Sequence, residues 1–259
     1  MPLFDRYCGI DYSGAQTSES GLTGLRLFVA TRTQAPAEVL PPSGPRKLWT
    51  RHSLAEWLVA ELRLGPPTLV GIDHAFSFPQ RYFEQHRLAT DWPGFLDDFQ
   101  CHWPTDSGHL RVDCIRHGYA GGAAARSGDS HWRRLAEVRC RAKSVFHFDC
   151  QGSVAKSTHA GLPWLRFLRR QLGPRLHCWP FDGWQPPHGR PVIAEVYPSL
   201  WNRTFAAEGR NSHQQDAYCV ARWMKEADAD GSLGPCFNPR LSPVELGIAR
   251  IEGWILGLR

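Results

Sequence analysis

The chain has 259 residues, 42% of them hydrophobic, enough to bury a large core and suited to one elaborated domain. No apolar run approaches the ~20 residues of a membrane-spanning helix, and Asp5 and Arg6 interrupt the only apolar patch at the N-terminus, so the expectation is a cytoplasmic protein without a signal peptide. The formal charge of +5 permits a nucleic-acid partner without requiring one, although every basic residue except Lys47, Lys143, Lys156 and Lys225 is an arginine, whose planar fork suits phosphate.

The eight cysteines include no Cys-x-x-Cys pair, a usage that suits reduced thiols better than a disulfide framework. Cys101, His102, Cys114 and His117 have the chemistry of zinc ligands, but their spacings match no familiar zinc module.

Along the chain, residues 7–11 read as a short buried strand and 25–32 as a second, with glycine-rich turn chemistry between them. After a proline-rich stretch, residues 46–50 supply a shorter third. A helix over 53–62 follows, with Ser53 and Glu56 as a capping box and Leu54, Trp57, Leu58 and Leu62 on one face. Residues 68–73 form an apolar run suited to a central parallel strand.

From about 77 to 161 the periodicity degrades, so a large insertion is expected at about 80–160, including a small-residue tract at 121–128. Regular signal returns at 162–172, where Leu165, Leu168 and Leu172 share one helix face and Arg166, Arg169 and Arg170 share another. Such a basic stripe can hold phosphates, or it can be an ordinary solvated face. A strand at 191–196 carries one charge, Glu195. A helix then starts near Asn211 or Ser212, with Ala217, Val220, Ala221 and Met224 inward and His213 and Asp216 in its first turns. A last helix is expected over 242–258, with Ser242, Pro243 and Glu245 as its start and Val244, Ile248, Ile251 and Ile255 as its inner stripe.

Two of the apolar runs end in the same tripeptide, Gly9-Ile10-Asp11 and Gly71-Ile72-Asp73. An aspartate closing a buried strand is costly to keep ionised unless something cationic faces it. With Glu195 inside an apolar strand and Asp216 beside an inward helix face, four acids interrupt or end apolar elements. Neighbouring parallel strands release their C-terminal ends on one edge, which would bring these carboxylates together. Oxygen-only ligands select Mg²⁺ or Mn²⁺ over zinc. Each acid alone also fits a plainer role: Asp11 as a turn former, Asp73 as a cap, Glu195 as the partner of an arginine, Asp216 as a first-turn helix acid.

The segments Gly9-Ile10-Asp11-Tyr12-Ser13-Gly14, Gly71-Ile72-Asp73 with Phe76-Ser77-Phe78-Pro79, Glu195-Val196-Tyr197-Pro198 and His213-Gln214-Gln215-Asp216-Ala217 resemble the signature blocks of the domain-of-unknown-function family 429, described as predicted nucleases with a ribonuclease H-like fold. Gly152-Ser153-Val154-Ala155-Lys156, Gly161-Leu162-Pro163 and Glu252-Gly253-Trp254-Ile255 echo further blocks, and the likeness thins between about 81 and 150.

The resemblance implies an α/β fold with a five-stranded mixed sheet in the order 3-2-1-4-5 and helices on both faces. It also implies Asp11, Asp73 and Asp216 as metal ligands, with Glu195 a fourth ligand or a residue that shapes the site. No clear match exists for the acid that ribonuclease H carries on its first helix, because Glu56 is assigned to a cap and Glu61 is a weak candidate. The function expected is metal-dependent hydrolysis of a phosphodiester in nucleic acid. His213 is the candidate proton carrier, and Ser13, Arg166, Arg169 and Arg170 are the candidate phosphate contacts, with Arg133, Arg134, Arg139 and Arg141 as a second basic cluster. An actin-like phosphotransferase and a non-catalytic binding module on the same fold are the competing expectations.

Overall fold

The computed structural model describes residues 1–42, 47–118 and 126–259. Six strands make one mixed sheet: β1 (Arg6–Asp11), β2 (Arg26–Thr31), β3 (Ala37–Glu38), β4 (Thr68–Ile72), β5 (His177–Cys178) and β6 (Val192–Glu195), in the order β3-β2-β1-β4-β6-β5. The strands β3, β2 and β1 are antiparallel neighbours, whereas β1, β4, β6 and β5 run parallel. The helices are α1 (Arg51–Leu64), α2 (Gln80–His86), α3 (Trp92–His102), α4 (Val112–Arg116), α5 (Leu135–Arg139), α6 (Ala155–Leu172), α7 (Ser212–Ala229), α8 (Leu233–Cys236) and α9 (Pro243–Glu252). None is long and apolar enough to cross a membrane.

In the parallel register Gly9 stands beside Gly71 and Ile10 beside Ile72. Alternation along the strands then sends the glycines to one face and the isoleucines to the other. The isoleucines pack with Leu54 and Leu58 of α1 and Leu165 and Leu168 of α6. On the glycine face lies α7, so close that a Cβ on Gly9 would stand 2.2 Å from the Ala217 carbonyl oxygen, and one on Gly71 2.8 Å from side-chain carbons of Val196 and Val220. The carboxylate of Asp228, on the last turns of α7, accepts hydrogen bonds from the Leu3 and Phe4 amides at 2.8 and 2.9 Å and from the Tyr7 hydroxyl at 2.7 Å. That buried acid fastens the N-terminal strand to the helix above it.

The third strand expected at 46–50 is absent from 47–50, and residue 46 lies outside the described residues. The strand in its place is the two-residue β3 inside the proline-rich stretch, and Thr50 serves instead as the N-cap of α1, in a capping box with Ser53. Glu56 is left to pair with His52. At 80–160 the described residues alternate short helices with longer irregular stretches. Their core is aromatic: Phe78, Phe95, Phe99, Phe146 and Trp103 surround His159 and one another. Of the small-residue tract, 121–125 lie outside the described residues.

The helix expected at 162–172 begins seven residues earlier, at Ala155, and holds Pro163 in its interior. Proline removes the amide that would bond the carbonyl four residues back. That carbonyl, of His159, is taken by the Thr105 hydroxyl at 2.6 Å. The final helix, by contrast, is shorter than expected. It stops at Glu252, Gly253 turns the chain at φ 78°, and Ile255 bridges to Glu195 along the sheet. Val244 of its expected inner stripe is exposed, and Ala249 and Glu252 face inward instead.

Candidate carboxylate site

Three aspartates gather at the C-terminal edge of the central strands. Asp11 ends β1 and is buried; its Oδ2 shares a 2.7 Å hydrogen bond with Nδ1 of His213 from the first turn of α7. Burial pushes the Asp11 carboxyl up to about 6, with the Asp216 charge adding to the rise and the His213 bond opposing it. The same bond raises His213 against the effect of its burial. The two side chains therefore compete for one proton between them.

Asp73 follows β4, and its amide donates to the Ile10 carbonyl at 3.0 Å, which carries the parallel pairing one step past the strand. Its carboxylate is partly accessible and receives no hydrogen bond among the described residues. Its pKa stands well above the carboxylate range, first through burial and then through the charges of Asp11, Asp216 and Glu195. Asp216, three residues after His213, accepts a long 3.4 Å bond from the Asn202 amide, and burial raises its pKa too.

Glu195 is also at this edge, in register with Ile72, but it is committed elsewhere. Both its oxygens accept from the buried guanidinium of Arg134, at 2.7 and 2.5 Å, and the Phe76 amide adds a 3.3 Å bond. Arg134 in turn donates from Nε to Glu137 at 2.9 Å. Burial works against the Arg134 charge, and Glu195 and Glu137 more than offset it, so the guanidinium stays protonated. Glu195 accordingly shapes the wall beside Asp73 rather than presenting a free ligand, and Arg134, expected in a basic cluster for a nucleic-acid strand, is inside the protein. A narrow cleft of about 20 Å³ lies there, lined by Asp73, His74, Arg134, Lys143, Glu195 and Tyr197 among others.

Ser13 and Gly14 lead away from Asp11 to the start of α6, where a Cβ on Gly14 would stand 2.1 Å from the Lys156 backbone. The segment is pinned from below by Arg51, which donates to the Ser13 and Ala15 carbonyls at 3.0 and 2.7 Å and to Gln16 at 3.1 Å. The Thr158 hydroxyl, also on α6, accepts from the Ala75 amide at 3.1 Å and holds the chain just past Asp73.

The stripe of Arg166, Arg169 and Arg170 is elsewhere. At 1.5 Å per residue it stands about 14–20 Å along α6 from Ser157, toward the opposite edge of the sheet. Its charges are also engaged: Arg166 and Arg170 with Asp97, Arg169 with Asp182. It is a paired surface face, not part of the acid site. Sequence reading missed Arg51 and placed Arg134 in a basic surface cluster, because nothing in a local pattern separates a buried arginine from a solvated one. It missed Asn202 for a similar reason, since the residue lies in an irregular segment.

Magnesium or manganese, implied by the resemblance, suits the chemistry of this donor set: three carboxylates, no thiolate, and one of the three, Asp73, without a donor among the described residues. Among the described residues no three His, Cys, Asp or Glu side chains already stand as a closed metal-holding group. Asp11, Asp73 and Asp216 are near enough to feel one another's charge, but they do not form a finished ligand shell. Set against protein families, curated proteins and solved structures, the chain matches none of them.

Proposed function

We propose that this chain is a divalent-metal-dependent hydrolase of phosphodiester bonds in nucleic acid, built on a ribonuclease H-like sheet and related to the family its motifs resemble. The observation that carries the reading is Asp73, a half-buried carboxylate that receives no hydrogen bond among the described residues and has other acids as its charged neighbours. Such an arrangement is unfavourable unless a cation completes it. The sheet order supports the fold, since β3-β2-β1-β4-β6 follows the order 3-2-1-4-5 with β5 added at one edge.

Asp11, Asp73 and Asp216 would hold Mg²⁺ or Mn²⁺, which supplies an activated water and neutralises charge developing on the phosphate. The protein's own groups do the rest. His213 is within hydrogen-bond reach of Asp11 and open to solvent on its other side, so it can carry a proton away from the site. Arg134 holds Glu195 in place and keeps that charge from adding fully to the repulsion at Asp73. Ser13 and the backbone at Gly14, held by Arg51, offer polar contacts for a phosphate beside Asp11.

The deciding experiment incubates the protein with labelled single-stranded and duplex DNA, RNA and hybrid in Mg²⁺ or Mn²⁺. Cleavage that chelation abolishes and Asp73→Asn removes is expected. Folded wild-type protein that cleaves none of these substrates in Mn²⁺ would overturn the proposal.

A further inference from the structure

A groove leads away from the acid site along the side of α7 that carries Asp216. Trp223 follows Asp216 by seven residues, just under two helical turns, so the two side chains leave the helix on the same side about 10 Å apart. Trp201 stacks on Trp223 with ring centroids 3.9 Å apart and planes 14° from parallel, and its neighbour Asn202 is the residue whose amide reaches Asp216. The stacked pair is half-buried and lines a hollow of about 400 Å³. That hollow shares Ser232, Cys236, Gly257, Leu258 and Arg259 with a second one of about 510 Å³, which extends to Arg240.

The groove is basic. Arg240 and Arg259 are exposed, and neither makes an ion pair or a hydrogen bond among the described residues, whereas Arg166, Arg169 and Arg170 are all paired. No acidic side chain lines either hollow. Asp230, whose charge reaches Cys236, accepts from the Ser232 amide at 2.8 Å. At the indole rings the backbone comes close: Gly257 has φ 84°, and a Cβ there would stand 2.8 Å from carbons of both Trp201 and Trp223.

Aromatic rings followed by unpaired guanidinia match the chemistry of a single strand, whose free bases stack on the rings while the cations meet its phosphates. A duplex keeps its bases inside and could use the arginines alone. We propose that this groove holds a single-stranded stretch of nucleic acid, running from the aspartates past Trp201 and Trp223 to Arg259 and Arg240. The inference rests on the hydrolase reading for the path of the strand, and deepens it by naming single-stranded nucleic acid as the substrate class.

The test measures binding without turnover, by fluorescence anisotropy of labelled oligothymidylate and of a duplex of equal length in EDTA. Changing Arg240 and Arg259 together to Gln, which breaks no pairing, should weaken single-strand binding about tenfold and flatten the slope of log Kd against log salt by about 1.4, or 0.7 for each lost phosphate contact. Trp223→Leu should weaken it about fivefold or more, and oligothymidylate should quench the tryptophan fluorescence of the wild type. Wild-type affinity and slope in the double arginine variant would overturn the proposal, as would tighter wild-type binding to the duplex, or to an acidic peptide of equal charge, which would assign the groove to a protein partner. Mn²⁺-dependent cleavage with unaltered binding in the arginine variant would sink the groove alone. Groove-dependent binding with no cleavage would sink the hydrolase reading alone.

Discussion

Gly9 and Gly71 stand side by side in the parallel register of β1 and β4, and α7 lies across both. The repeated tripeptide thus has two functions in space: glycine admits the helix, and the aspartate two residues later, on the same face, meets the side chains that the start of that helix carries. Gly9→Ala would drive a methyl into the α7 backbone, where nothing flexible can yield. The expected loss is about 2–3 kcal/mol or more, measurable by urea unfolding, together with weaker metal binding as α7 shifts. A stability within error of wild type would mean that α7 is not seated as described.

The three aspartates repel one another when no cation is present. Asp73→Asn should therefore leave the metal-free protein as stable as wild type or up to about 1–2 kcal/mol more so, while Mn²⁺ should raise the wild-type Tm by binding the folded state and do so far less in the variant. Loss of stability in the metal-free variant with an undiminished response to Mn²⁺ would identify Asp73 as scaffold.

Asp11 gives a pH signature. Its folded pKa is raised to about 6 from an ordinary 3.8, so between those values the folded state binds more protons than the unfolded one. Stability of the metal-free protein should fall as pH rises through that window, by at most about 3 kcal/mol. His213, whose pKa is raised by Asp11, contributes in the same direction as pH climbs further. Asp11→Asn should flatten the profile between pH 4 and 6. A wild-type profile that rises through the window instead would show Asp11 to be stabilised by its partner.

Glu195 and Arg134 form a buried pair separable from the three aspartates. Arg134→Met leaves Glu195 and Glu137 buried without their cation, and about 3–5 kcal/mol should be lost. Glu195→Gln should also destabilise the protein but keep most of the Tm response to Mn²⁺. If that response vanishes in a variant that remains folded, Glu195 is a metal ligand after all.

Changing Arg166, Arg169 and Arg170 together to Gln should leave oligonucleotide binding and its salt dependence unchanged, because these side chains face Asp97 and Asp182 far along α6. Stability should change by about 1 kcal/mol or less for the exposed pairs. A flatter salt dependence would return the stripe to the nucleic-acid interface.

The parts legible in the sequence were those that repeat locally. Strands β1, β2, β4 and β6 announced themselves as apolar runs, Ser242 as a helix cap, and the start of α7 to within a residue of Asn211. The short elements were not legible, because β3 and β5 have two residues each and draw their stability from neighbours. Pro163 hid the first half of α6, since its cost is met by Thr105, 58 positions away in the chain. The positions of Asp11, Asp73 and Asp216 followed from strand ends and one helix start, but the commitment of Glu195 to Arg134 depends on tertiary contact alone.

The grip of Asp228 on Leu3, Phe4 and Tyr7 also bears on how the molecule is made. Those bonds join positions up to 225 residues apart, and β1 needs α7 against its glycine face. Contacts of such long sequence separation form slowly, since the loop between them must close first. During synthesis Asp11 and Asp73 leave the ribosome long before Asp216, so the first strand must wait uncovered for its helix. The nascent β1–β2 hairpin is thus the stretch most in need of protection from aggregation.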